Sequence, residues 1–181
     1  MDPGLDADQR RESFEHLAAE VVEPLRRYLA RRTDPTTAED VLADVLLVLW
    51  RRLNAVPAEA LPYAYGVAHN CLANAQRSAR RQQRVAARIA AIDPPAASLA
   101  QDEDPDERVT AALETLRPAE AELLRLWAWE DLGPTEIATV LDITVNAATI
   151  RLHRAKKKLE DAIRKVPGGT GHEQADEGRR P

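Results

Sequence analysis

Glycine is scarce in this chain, with seven among 181 residues, and phenylalanine occurs once. With long Ala-, Leu-, Arg- and Glu-rich runs in their place, this points to an all-α protein. The single cysteine, Cys71, excludes an internal disulfide and argues against a cysteine-based zinc site. No apolar run approaches the roughly 20 residues that a membrane span needs. The N-terminus, MDPGLDADQRRESF, is too polar and acidic for a signal peptide, so the cytoplasm is the expected compartment. His16, His69, His153 and His172 are scattered, without metal spacing, and there is no Gly-rich phosphate loop or pocket-like carboxylate pair. An enzyme is therefore not expected, nor a metal or cofactor. Hydrophobic residues at 44% and charged residues at 30% are what a soluble globular protein carries.

The net charge of −5 conceals segregation. Gln76 to Arg88 holds five arginines and no acid, and Arg151 to Lys165 holds seven Lys or Arg against Glu160 and Asp161. Between these basic stretches, Asp93 to Glu107 holds six acids and no base.

The most informative segment is Ala119 to Leu159, which has the form of a helix-turn-helix. Gly133 is placed to cap a helix that starts at Pro134, where a missing N–H costs nothing, and the Glu136 carboxylate can reach back to free N–H groups. Asp142 and Ile143 make a short turn, and Thr144 is placed to cap the next helix. At about 100° per residue, Val145, Ala148, Leu152, Ala155, Leu159 and Ile163 fall on a core-facing arc. Asn146, Ala147, Ile150, Arg151, Arg154, Lys157 and Lys158 fall opposite. A second helix with an Arg/Lys outer face, presented across such a turn, suits a DNA major groove.

Three helices are predicted in the N-terminal half. The first spans about Ser13 to Arg31, with Pro24 marking a bend or the true start. The second runs from a Thr36–Glu39 capping box to Leu53, and the third from Pro62 to about Ile89. Further helices are predicted from about Pro105 to Leu116 and from Pro118 to Trp129. On the second helix, Asp40, Ala43, Asp44, Leu47 and Arg51 share the face opposite the core stripe. Acids around an outward leucine suit either a solvated face or a docking surface for a basic, partly apolar helix. On the third, Tyr63, Gly66, Asn70, Asn74, Arg77, Arg81, Arg84 and Arg88 share one arc. An aromatic, two amides and a row of arginines suit a nucleic-acid strand, with bases at one end and phosphates at the other.

These features together resemble the bacterial RNA polymerase sigma factors of the small two-domain extracytoplasmic-function class, over roughly residues 13 to 165. Ala38–Leu53 is similar to that family's polymerase-binding helix, Leu61–Arg81 to its promoter-melting and minus-ten helix, and Glu130–Leu159 to its minus-thirty-five helix-turn-helix. The resemblance implies a division into residues 10–90 for polymerase binding and minus-ten recognition and 107–166 for minus-thirty-five recognition. Residues 91–106 form a flexible acidic Pro-rich linker in this scheme, and 167–181 a disordered tail. It implies polymerase contact by Asp40, Asp44 and Leu47, and minus-ten contact by Tyr63, Asn70, Asn74 and Arg77, with a flipped base held near 54–61. Arg81 continues that stripe. It implies minus-thirty-five contact by Arg151, His153 and Arg154, to which the helical projection adds Asn146, Ile150 and, on phosphate, Lys157. The implied partners are core RNA polymerase, promoter DNA and an anti-sigma factor, without membrane insertion.

The chain departs from the family pattern at Ala43, where a glutamine is common, at Tyr63, Gly66 and His69, and at Asp142, where a turn glycine is usual. Thr149 and Ile150 replace a common lysine or serine, which suggests an altered promoter preference. The alternative is a helix-turn-helix regulator that is not a polymerase subunit. The N-terminal half lacks the alternating strands and helices of a receiver domain, and a simple repressor has no need of a second nucleic-acid surface.

Overall fold

The computed structural model describes residues 7–89 and 107–165. Among these residues there are seven α-helices and no strand: α1 (Ala7–Ala30), α2 (Pro35–Arg51), α3 (Ala60–Ile89), α4 (Glu107–Glu114), α5 (Pro118–Ala128), α6 (Pro134–Leu141) and α7 (Val145–Lys165), with a 3₁₀ turn at Leu53–Ala55. The all-α expectation holds. The acidic linker and the tail lie outside the described residues.

Local chemistry explains most boundaries. Asp34, in extended backbone, accepts the Thr37 N–H at 3.0 Å and caps α2, while Pro35 fills the first helical position, where no N–H is needed. The capping box expected at Thr36 is therefore not used, and Glu39 instead lies 3.5 Å from Arg26 of α1. The helix also ends at Arg51, short of the expected Leu53. Pro24 neither starts nor interrupts α1, which is continuous on both sides of it. Helix α3 runs through Ile89 as expected, beginning two residues earlier than Pro62.

Val21, Leu25 and Leu29 of α1 bury against Val41, Val45 and Leu49 of α2 and Ala64, Ala68 and Leu72 of α3. In the second half, Leu123, Leu124 and Leu126 of α5 and Ile137 and Val140 of α6 close over Ala148, Leu152 and Ala155 of α7. These are not two separate cores. The buried residues form one continuous cluster, joined where α6 packs on α3. The helical period of each element does not specify this docking of the two halves.

The crossing is made at Gly66. A Cβ there would lie 3.5 Å from both the Thr139 carbonyl oxygen and the Val140 Cα, so the α6 backbone lies against the α3 backbone. Gly66 is buried, which removes it from the predicted outward stripe of α3. Val145 is the other misplaced residue: expected in the core, it is 46% exposed. It opens the first turn of α7, where helical angle alone cannot tell whether a neighbouring helix has yet begun.

Candidate nucleic-acid interface

The turn of the helix-turn-helix is built as its sequence suggests. The Glu136 carboxylate accepts the Gly133 N–H at 2.7 Å, and the Thr144 hydroxyl accepts the Ala147 N–H at 3.2 Å. Asp142 closes α6 in the left-handed region at φ 51°, and the Ile143 N–H reaches back to the Ala138 carbonyl at 3.0 Å. These bonds satisfy backbone groups that both helix ends would otherwise leave open.

The two faces of α7 separate cleanly beyond its first turn. Ala148, Leu152 and Ala155 are buried, whereas Asn146, Ile150, Arg151, His153, Arg154 and Lys157 are exposed. Among the described residues, Arg151, Arg154 and Lys157 form no ion pair. The neighbouring lysines are engaged: Lys158 pairs with Glu120, and the Lys156 ammonium sits 3.4 Å from the Trp127 ring centroid. The Lys158 contact and its hydrogen bond hold the Glu120 carboxyl below the usual carboxylate range. The basic residues from Arg151 to Lys158, His153 apart, thus divide into two that fasten α7 to α5 and three left open to an anion, while Arg164 near the end of the helix pairs with Asp161 of the same helix. Ile150, 42% exposed, adds an apolar contact among them.

On α3, Asn70, Asn74, Arg77 and Arg81 are exposed and Tyr63 is half-buried. The Arg77 guanidinium donates to the Asn74 side-chain oxygen at 2.7 Å and to the Ala73 carbonyl at 3.2 Å, which stiffens both side chains. The Asn74 amide nitrogen keeps its donors. Asn70 is turned back on its own helix, donating to the Gly66 carbonyl at 3.0 Å. On α2, Asp40 and Asp44 are exposed, with Leu47 beside them at 45%. Burial, followed by the Asp44 charge, pushes the Cys71 thiol up, so that acidic face borders α3.

A cluster that sequence reasoning missed joins the two halves. Arg32, just past α1, donates through Nε to both Glu122 oxygens at 3.1 and 3.3 Å and through Nη1 to Glu130 at 3.0 Å. Its guanidinium also lies 3.6 Å from the Tyr28 ring centroid. The Arg32 and Glu130 side chains are only 6% and 3% exposed, so these are interior charges. Arg31 reaches Glu130 at 3.5 Å. The Tyr28 hydroxyl donates to Glu122 and the Tyr65 hydroxyl to Glu130, each at 3.4 Å. Burial and the adjacent carboxylate push the Tyr65 hydroxyl up to about 12, and Tyr28 is raised further for the same reasons. Among the described residues, Arg32 Nη2 is buried without a hydrogen-bond partner. One signal was available in the sequence: a glycine inside a helical pattern, as at Gly66, usually marks a close approach.

The Sigma-70, region 4 family model matches residues 106–159. The RNA polymerase sigma factor CarQ of Myxococcus xanthus is 31% identical over 164 residues, covering 86% of this chain and 92% of that protein. Among solved structures, the fold is similar to the complex of the sigma factor RpoE with the anti-sigma factor NepR from Bartonella quintana. There the TM-score is 0.62 and the identity 18%, covering 86% of this chain and 99% of that one. It is also similar to CnrH in complex with the cytosolic domain of CnrY, with a TM-score of 0.58 and 20% identity, covering 87% and 91%.

Proposed function

This chain belongs to the bacterial RNA polymerase sigma factors of the extracytoplasmic-function class, and on that premise we propose that it binds core RNA polymerase and directs initiation at promoters with minus-thirty-five and minus-ten elements. The observation that carries the proposal is the outer face of α7, where Arg151, Arg154 and Lys157 stand open on a helix capped for groove entry. Arginine takes a guanine edge through two parallel bonds, and lysine takes phosphate as a point charge. Asn146, Ile150 and His153 complete the minus-thirty-five surface. Exposed Asn70, Asn74, Arg77 and Arg81, with half-buried Tyr63, support assigning α3 to the minus-ten strand, with a flipped base near 54–61. Asp40, Asp44 and Leu47 form the polymerase-binding face of α2, where two carboxylates around an apolar side chain suit a basic partner helix.

Residues 10–90 and 107–166 are the two functional units in this reading, tied by the acidic stretch 91–106. Two structural relatives were solved with CnrY or an anti-sigma factor bound, which supports adding an anti-sigma factor to the partners.

The test is reconstitution. Purified full-length chain is incubated with core polymerase, and the complex is offered a pool of genomic promoter fragments. Co-elution with polymerase and start-site-specific transcripts are the expected results. Tight sequence-specific duplex binding by the chain alone, without polymerase binding, would sink the proposal and leave a helix-turn-helix regulator.

A further inference from the structure

A side-chain amide carries one acceptor oxygen and two N–H donors, and a neighbour of fixed polarity decides which end is left for a ligand. On α3, Asn70 donates to the Gly66 carbonyl at 3.0 Å, and a carbonyl can only accept. The Asn70 oxygen and one N–H therefore stay open. One turn on, the order is reversed. The Asn74 oxygen accepts from Arg77 Nη2 at 2.7 Å, and a guanidinium can only donate, so both Asn74 N–H groups stay open. Two exposed asparagines four positions apart thus offer unlike edges.

Arg77 differs from the arginines that follow it. Arg80, Arg81 and Arg84 are exposed and without an ion pair among the described residues, which leaves them free for phosphate. Arg77 instead turns Nε to the Ala73 carbonyl at 3.2 Å and Nη2 to Asn74. The bond to the backbone already orders the guanidinium, and a charged donor makes the stronger kind of hydrogen bond. Residues three apart are neighbours on a helix. The residue three after Asn70 is Ala73, which has no side-chain donor, so the Asn70 oxygen stays free.

An amide with both ends open matches adenine, its oxygen taking the N6 amino group while its N–H reaches N7. Asn74 has no such oxygen to give. Its second lone pair remains, but a base amino group reaching for it meets the Arg77 guanidinium, donor against donor. Guanine, with O6 beside N7, presents acceptors only along that edge, and cytosine has O2 beside N3. Both fit a pair of outward N–H groups.

We propose that Arg77 is a positioning residue for minus-ten base choice: it holds Asn74 with the oxygen inward and the N–H groups outward, so that Asn74 selects an acceptor edge, guanine or cytosine, and rejects adenine, while Asn70 keeps the two-way edge. This rests on the assignment of α3 to the minus-ten strand and adds to it the chemical class of base that Asn74 takes.

The experiment uses holoenzyme assembled from core polymerase and the full chain, as wild type, Asn74→Ala, Arg77→Met, Arg77→Lys or Asn74→Asp. Each is equilibrated with forked promoter DNA whose single-stranded minus-ten segment is randomised, and the bound DNA is sequenced. The position at which Asn74→Ala erases the preference is the one that Asn74 reads. There the wild type should disfavour adenine by about tenfold against guanine or cytosine, within the range that a well-paired base edge gives. Arg77→Met frees the oxygen and should admit adenine at that position alone. Arg77→Lys, still a donor three residues on, should restore the rejection. Asn74→Asp, an acceptor only, should invert the preference toward bases that present an amino group. An even loss of affinity over all four bases in Arg77→Met would make Arg77 a phosphate contact and overturn the inference, as would a wild-type preference for adenine. Either result leaves the minus-ten reading standing. A minus-ten preference untouched by Asn74→Ala would remove Asn74 from base reading, and failure to form any holoenzyme would remove the sigma-factor reading; the inference falls in both cases. Should Arg77→Met lose its helical circular dichroism, Asn74→Asp decides, because absence of the inversion overturns the inference with Arg77 in place.

Discussion

Asp142 holds a left-handed backbone at φ 51° where the two helices of the reading motif meet. A non-glycine residue there carries strain of order 1 kcal/mol, less for Asp than for most. Asp142→Gly is therefore expected to raise stability by up to about 1 kcal/mol, which a thermal melt reads as a shift of a few degrees. Arg151 and Arg154 belong to the same scale. Each is exposed and without an ion-pair partner among the described residues, so replacement by alanine removes no internal contact and should leave the melt unchanged. Each change should weaken binding of the holoenzyme to its upstream element by roughly 1–3 kcal/mol if the arginine is bidentate to guanine. Titration of the holoenzyme against upstream-element duplexes checks this. A loss spread evenly over all sequences would reassign the arginine to phosphate.

At the scale of single helices, α2 makes the sharpest prediction. Asp40→Lys with Asp44→Lys exchanges one i,i+4 like-charge repulsion for another, so helical circular dichroism should hardly change. Against a basic polymerase helix the same exchange turns attraction into repulsion, worth several kcal/mol at an interface. The double variant should keep duplex contacts through α7 and lose polymerase co-elution; wild-type affinity would remove the α2 assignment. Helices were the most legible level in the sequence, because period and capping are local. The Gly133–Glu136 bond and the Thr144 cap stand as spelled out by residue type. Where two local signals competed, the sequence was ambiguous: Asp34 and Thr36 are both good caps, and Pro35 favours Asp34 by fitting the first helical position. The exposed site residues of α2 and α7, and all those of α3 except half-buried Tyr63, were legible for the same reason, since a face follows from angle alone. Val145 and Gly66 were not, because each depends on where another helix lies.

The docking of the two halves belongs to the whole molecule and had no sign in the sequence beyond Gly66, because Arg32 lies 90 residues from Glu122 and 98 from Glu130 and all three look like ordinary surface charges. It does make a pH prediction. Tyr65 faces Glu130, Arg27 and Arg32, its ring lies 5.1 Å from that of Tyr28, and its hydroxyl sits at about 12 against an ordinary 10. The docked form therefore favours the protonated hydroxyl. Its contribution is intact below about pH 10 and is lost as pH rises from there toward about 12. Tyr28, also raised, adds to the same trend. Scattering followed across that window should show the chain expanding as tyrosinate absorbance grows, and Tyr65→Phe should flatten the dependence.

The three tryptophans stand in unequal surroundings. Trp50 is packed by Phe14 and Arg10 of the first half, and Trp127 by Lys156 of the second. Trp129 alone among them takes cations from both halves, with Arg31 5.7 Å and Arg125 5.8 Å from its ring centroid. Separation of the halves strips Arg31 from this indole and opens it to water while the other two keep their neighbours. The chain thus carries its own optical gauge: emission should move to longer wavelength when the halves part, and Trp129→Phe should abolish the shift.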